Sequence, residues 1–340
     1  MERKNVRIIR RTLLPAAAVL LTVTGVGAAQ AAPTHTTAVK AAAPVPGAAV
    51  SAVAAGGASE AADTYWTPAR MKSAISLDSL PNSAVPAAAA AAAAEPELKG
   101  AEFNVAPGAP TTPLASAAGA GAAVNSTAAA GKVFFHNPKN NLNYVCSASA
   151  LNSPSKQLVA TAGHCVHGGR GGTWMTNWVY APRYSNGRAP YGVFKAKEYR
   201  TFQAWVSSSS FARDVAFVTV AKLNGRKLSN VTGSNGLSVN YDHTNYVYVF
   251  GYPSNKYRGE RQMYCRGTTR KESGSNRNAI HCTFGPGASG GPWVRSYSTR
   301  TGRGYLNGVM STWNPSTGWN QAAYFDTAVR NLWKAQGSRT

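Results

Sequence analysis

"CTFGPGASGGPW", residues 282 to 293, sets six glycines and prolines around a single serine, Ser289. Such a run does not belong in the interior of a helix or strand; it is a loop whose backbone reaches conformations closed to most residues. Ordering a loop like this costs conformational entropy, and loops that bear that cost are where binding and catalytic residues concentrate. "GASGG" also matches G-x-S-x-G, the strained turn that presents the nucleophilic serine of α/β-hydrolases. In that arrangement the chain order is serine, acid, histidine. Here the last histidine, His281, precedes the serine, and the required alternation of strands and helices is missing, so any base for Ser289 comes from upstream.

A serine hydroxyl is a poor nucleophile until a base takes its proton and a further group orients that base. The chain has six histidines. His35 lies in a low-complexity stretch, His136, His167 and His243 fall in polar loops, and His281 adjoins Cys282. His164, in "LVATAGHCV", ends an apolar strand and is followed at once by a cysteine able to tether it. The acid is restricted by scarcity, because from residue 131 onward the only aspartates are Asp214, Asp242 and Asp326. Asp326 reads as a helix cap and Asp242, in "NYDHTN", as a turn residue. Asp214 opens the apolar run "FARDVAFVTVA" and so enters the edge of the core charged; a buried carboxylate needs a partner, and an imidazole N–H is a fitting one. An ion pair with neighbouring Arg213 is disfavoured, since adjacent residues of a strand point to opposite faces.

Around these residues, from Lys132 on, aromatic and β-branched runs ("VFF", "QLVATA", "TWMTNWVYAP", "VAFVTVA", "NYVYVFGYP") alternate with Gly/Asn/Ser turns. Many short strands without intervening helices predict an all-β antiparallel barrel or sandwich. One helix is expected, at the C-terminus: Asp326 caps it, Val329, Leu332 and Trp333 form an apolar face, Lys334 suits its last turn and Gly337 stops it. The roughly 210 residues concerned suffice for a sizeable core.

The N-terminal third is different. A basic start, "MERKNVRIIRR", an uncharged apolar stretch and small residues at 29–31 predict a secretory signal peptide over 1–31. Residues 32–130 are dominated by Ala, Pro, Gly, Ser and Thr, including eight consecutive alanines at 87–94. This composition offers too few large apolar side chains to offset the entropy of ordering and reads as a largely disordered propeptide and linker. The exception is "DTYWTPARMKSAISLD", residues 63–78, with Trp66 and a helix start at Thr67-Pro68, which is expected to dock.

All four cysteines, Cys146, Cys165, Cys265 and Cys282, follow residue 131. An even number after a signal peptide predicts two disulfides, and of three pairings the sequential one closes two short strand-loop-strand units. The cluster His164, Cys165, His167 fits no zinc-ligand spacing, so no metal and no cofactor are expected. From Gly131 onward 26 Lys/Arg face 6 Asp/Glu. That imbalance favours polyanionic surroundings such as cell-wall polymer or acidic polysaccharide, while no signature of specific nucleic-acid binding is present.

Taken in order, "TAGHC", "RDVAFV" and "GASGGP" resemble the His, Asp and Ser segments of the chymotrypsin-like (trypsin-like) serine peptidases, closest to the secreted bacterial branch that includes glutamyl endopeptidases. The resemblance spans about Val133 to Trp313. It implies two six-stranded antiparallel β-barrels over 131–340 with the site between them, His164 as general base and acid, Asp214 as its orienter and Ser289 as nucleophile. The N–H groups of Gly287 and Ser289 would form the oxyanion hole. "NGVMSTW", residues 307–313, resembles the strand that pairs with substrate, with Ser311, Thr312 and Trp313 along the specificity pocket. Thr283 takes the position where trypsins carry an aspartate, so specificity for Arg or Lys is not expected. Ala288 replaces the aspartate with which animal members capture a new N-terminus, so activation should not use that salt bridge. The expectation is a secreted, monomeric endopeptidase acting on peptide or protein substrates, made as a precursor and not inserted in membrane after signal cleavage. The rival reading is a catalytically idle relative whose basic surface binds wall polymer or polysaccharide.

Overall fold

Seventeen strands and few helices make up the fold in the computed structural model, which describes residues 46–55, 64–77, 96–112 and 126–340. The expected signal peptide (1–31) and the alanine tract at 87–94 lie outside the described residues. Three strands come from the N-terminal third: β1 (Ala49–Val53), β2 (Ile75–Ser76) and β3 (Phe103–Val105). Then follow β4 (Ala130–Asn137), β5 (Leu142–Leu151), β6 (Leu158–Thr161), β7 (Thr176–Pro182), β8 (Phe194–Phe202) and β9 (Ala216–Val220). The remainder are β10 (Gly236–Val239), β11 (Tyr246–Gly251), β12 (Met263–Thr268), β13 (Arg270–Lys271), β14 (Asn278–His281), β15 (Pro292–Ser298), β16 (Arg303–Trp313) and β17 (Trp319–Ala322).

Strands β4 to β9 close into a six-stranded barrel, in the order β8-β7-β4-β5-β6-β9 with β9 pairing back onto β8. Alternation along each strand decides what fills it. Val133 and Phe135 of β4, Cys146 and Ala148 of β5, and Trp178 and Tyr180 of β7 point inward and are buried. The second sheet runs β12-β11-β15-β16-β17-β14-β13 and curls, with β10 added parallel to β16. The curl is tied covalently, since Cys265 of the edge strand β12 bonds Cys282 just after β14. Leu151, Leu158 and Phe217 of the barrel and Leu237, Leu306 and Val309 of the second sheet share one core with the C-terminal helix, Thr327–Gly337. That helix matches its sequence signals: Asp326 accepts from the N–H of Ala328 and Val329, and Val329 and Leu332 are buried. It runs through Gly337, and Ser338 is its C-cap.

Residues 63–78 were expected to dock, and their described part does. Two further segments do so as well, although composition alone reads them as linker. Strand β1 pairs antiparallel with β8, and β3 with β10. The N–H of Leu98 donates to Asp326 at 2.9 Å. Arg213 donates to the same Asp326 oxygen at 2.9 Å and to the Pro96 carbonyl at 3.0 Å; its ion pair is thus with Asp326, and because it lies in a 3-10 turn and not in a strand, alternation is not the reason.

Candidate active site

His164 sits in a single 3-10 turn, Gly163–Cys165, at the end of β6. The disulfide Cys146–Cys165 ties that turn to β5, and the Cys165 carbonyl accepts from the Trp178 indole at 3.0 Å. Both sequential disulfides are thus formed. Asp214 closes the 3-10 turn Phe211–Arg213 just ahead of β9. Its side chain is fully buried, yet each oxygen is bonded: Oδ1 accepts from the backbone N–H of His164 at 2.8 Å, and Oδ2 from His164 Nδ1 at 2.7 Å and Ser311 Oγ at 2.6 Å. Burial alone would push this carboxyl up, but the adjoining His164 and these hydrogen bonds outweigh it and hold the group below its usual range. An ionised carboxylate only accepts, so the proton between the two groups belongs to His164 Nδ1.

The serine loop is braced from both halves of the protein. Ser147, the neighbour of Cys146, donates its N–H to the Ser289 carbonyl at 2.7 Å and its hydroxyl to the Gly287 carbonyl at 2.9 Å. A Cβ added to Gly290 would lie 2.1 Å from Thr161 Oγ1 and 3.0 Å from the Ala162 nitrogen. The residue after Ser289 is therefore pressed onto the segment that leads into His164, and only glycine permits that approach. Gly287 has φ +90°, a region that also favours glycine. The carbonyls of Pro286 and Ala288 accept from the N–H groups of Ser254 (2.7 Å) and Gly291 (2.9 Å). In a trans peptide the N–H points opposite to the C=O, so the N–H groups of Gly287 and Ser289 are turned the other way.

Ser289 opens onto a pocket of about 300 Å³. Its walls include Phe284, Met310, Trp313 and Pro315, with Ser311 and Thr312 on one side, and none of the lining residues is charged. Of the residues expected at this pocket, Ser311, Thr312 and Trp313 line it and Thr283 does not. Thr283 stands one residue ahead of the wall, its N–H donating to the Gly318 carbonyl and its carbonyl accepting from Asn255. Ser311 also has the bond to Asp214. Sequence reading missed Phe284 and the two asparagines that fix the wall: buried Asn320 bonds both the N–H and the carbonyl of Phe284, and Asn255 accepts from Gly285. Nothing in the sequence separates these asparagines from ordinary turn residues. His167, the other histidine nearby, accepts from the Gly169 N–H and stacks edge-on against Trp174. His136 and His243 are bonded elsewhere, to Tyr65 and Asn278. Among the described residues no helix is long and apolar enough to cross a membrane.

The profile of the trypsin-like peptidase domain matches residues 145–301. The structure is similar to the protease Anisep from Arthrobacter nicotinovorans at 33% identity and TM-score 0.58, covering 63% of this chain and 99% of that one. It is similar also to AL20, a thermostable serine protease from an extremophilic microorganism, at 29% identity and TM-score 0.59, with the same coverage. A Glu endopeptidase structure shares the fold at 14% identity and TM-score 0.51, covering 71% of this chain and 100% of that one. Among curated proteins none is significantly similar. The chain belongs to the trypsin-like serine peptidases and is a serine endopeptidase.

Proposed function

We propose that the protein is a secreted endopeptidase, made as a precursor, that cleaves peptide bonds through His164, Asp214 and Ser289. The observation that carries this is the Asp214 carboxylate, wholly buried, gripping His164 through both its ring and its backbone. That grip selects the tautomer in which Nε2 accepts a proton from Ser289. The hydroxyl oxygen attacks the substrate carbonyl, and the negative charge that develops on the carbonyl oxygen meets the N–H groups of Gly287 and Ser289. Donors preset for that charge are worth about 3 to 4 kcal/mol each in comparable enzymes. His164 then gives its proton to the departing amine, leaving an acyl-enzyme, and repeats both transfers with water. No metal or cofactor is needed for these steps.

An uncharged pocket beside the nucleophile favours an uncharged side chain on the acyl side of the cut. The positive field of a chain with net charge +22 admits acidic residues more readily than basic ones. Two disulfides and the basic, then apolar, N-terminus support export; residues 32–130 would be the propeptide and linker. The decisive experiment is labelling with a fluorophosphonate. Wild type should be modified at Ser289 and lose activity, whereas Ser289→Ala should be secreted, folded, unlabelled and inactive. Peptidase activity in Ser289→Ala would overturn the assignment.

A further inference from the structure

The outer wall of the barrel has a face that ought to be polar and is not. Phe134 and Val145 alternate with inward-pointing neighbours and so point away from the barrel interior, as do Val179 and Ala181. All four are nonetheless buried, in one apolar cluster to which residues 64–77 contribute Trp66, Tyr65, Met71 and Ala74 beside Tyr184 and Tyr252. Trp66 packs against Phe134 with ring centroids 5.5 Å apart, and its indole N–H donates to the Asn177 carbonyl at 2.5 Å. Beside it the Tyr65 hydroxyl donates to Asn143 at 2.7 Å. After one helical turn (Pro68–Ser73) the segment re-enters as β2, parallel to Tyr144–Val145.

The end of this segment reaches the catalytic loop. A Cβ built on Gly287 would lie 2.7 Å from Ser76 Oγ and 2.7 Å from the Tyr252 carbonyl oxygen, so Ser76 and Tyr252 together pack the face of Gly287 where a side chain would stand. Tyr252 belongs to the same apolar cluster as Trp66. No residue of 64–77 lines the pocket beside Ser289, so the described segment leaves that pocket open.

From this we infer that residues 64–77 are a lasting part of the working enzyme, a strap in which Ser76 is a positioning residue for the Gly287 backbone. The inference rests on the oxyanion role proposed for Gly287. If the chain is cut on either side, the strap stays docked, because its departure would bare a contiguous apolar patch on the barrel wall. The strap acts on turnover without touching substrate.

The test uses the full chain and compares Ser76→Leu, Ser76→Ala and Trp66→Ala with wild type and Ser289→Ala, each checked by circular dichroism and disulfide mapping. Leucine at 76 adds bulk on the face of Gly287 that has no space even for a Cβ, and is expected to displace it. Removing one oxyanion donor costs about 10²–10³ in kcat in comparable enzymes. We expect kcat to fall about 100-fold in Ser76→Leu with KM within threefold. Ser76→Ala, which only shortens the side chain, should lose less, and Trp66→Ala, which unseats the strap, should lose turnover too. Trp66→Phe, which keeps the packing, should recover most of it. Intact mass of the active secreted enzyme should include residues 64–77.

The strap is refuted if Ser76→Leu keeps kcat within threefold, if it raises activity as release of an inhibitor would, if its loss lies in KM alone, or if the active enzyme lacks the segment. Ser289→Ala separates the two levels of the argument. If it is inactive while Ser76→Leu is unaffected, the strap alone falls; if it is active, the nucleophile assignment falls as well.

Discussion

Replacing Asp214 with Asn changes one atom of a carboxylate on which three donors converge, and the consequence follows from how they are arranged. If the amide nitrogen takes the Oδ1 place it faces the backbone N–H of His164, a donor that cannot adapt. The tolerable arrangement puts the nitrogen at the Oδ2 place, opposite His164 Nδ1 and Ser311 Oγ. The Ser311 hydroxyl can rotate to accept. His164 can accept only by moving its proton to Nε2, and a protonated Nε2 cannot take the proton of Ser289. The variant should therefore fold, form both disulfides and bind substrate, with kcat lower by about 10⁴, or roughly 5.5 kcal/mol in activation free energy. Steady-state kinetics on a peptide substrate, normalised by intact mass and circular dichroism, measures this. A folded Asp214→Asn within 100-fold of wild type would refute the tautomer argument, and so would an equal loss in Asp242→Asn.

Three other outcomes are expected. Replacing Cys146 and Cys165 together by serine removes a cross-link across a sequence separation of 19 and should cost about 3 kcal/mol of stability, with activity lost before global unfolding because the bond braces the turn bearing His164; a stability change below 1 kcal/mol in urea unfolding would contradict this. Burial lowers the pKa of His167 from 6.5 to about 4, so as pH falls between these values the unfolded chain takes up a proton that the folded ring refuses. Stability should thus drop by up to about 3 kcal/mol over that window in wild type and less in His167→Gln, and parallel curves for the two would exclude His167 as the cause. Digestion of a mixed peptide library should show cleavage after uncharged or acidic residues, and dominant cleavage after Arg or Lys would mean that a carboxylate outside the described lining reaches the pocket.

How much of this could be read from the chain itself differs from residue to residue. His164, Asp214 and Ser289 stood out because each is anomalous where it lies: a histidine at the end of an apolar strand, a carboxylate opening a buried run, a serine among glycines. The all-β class, the two disulfides and the C-terminal helix were legible for a similar reason, since side-chain alternation, cysteine parity and capping are local signals. Thr283 shows where that approach fails. Its position in the motif suggested a pocket residue, but a φ of +56° and a bond to Gly318 set it one residue outside the wall.

The N-terminal third marks the same boundary. Composition correctly singled out Trp66 and its neighbours, because one large aromatic in an Ala-rich stretch is itself a signal. Residues 46–55 and 96–112 lack such a signal. They dock through backbone pairing along β8 and β10 and through backbone groups of Pro96 and Leu98, with only scattered single side chains, Ala54, Leu98, Phe103 and Val105, reaching the core. Ser147, Asn255 and Asn320 are silent for a related reason: a serine or asparagine has the same composition whether it faces solvent or holds a catalytic loop. The sequence by itself thus determined the class of fold and the covalent links, and singled out the residues proposed here for the chemistry, each encoded within a few neighbours. Only the tertiary structure decided which backbone groups converge on Ser289 and Gly287, because those contacts join residues as far apart as Ser76 and Gly287, and no local pattern records a long-range approach.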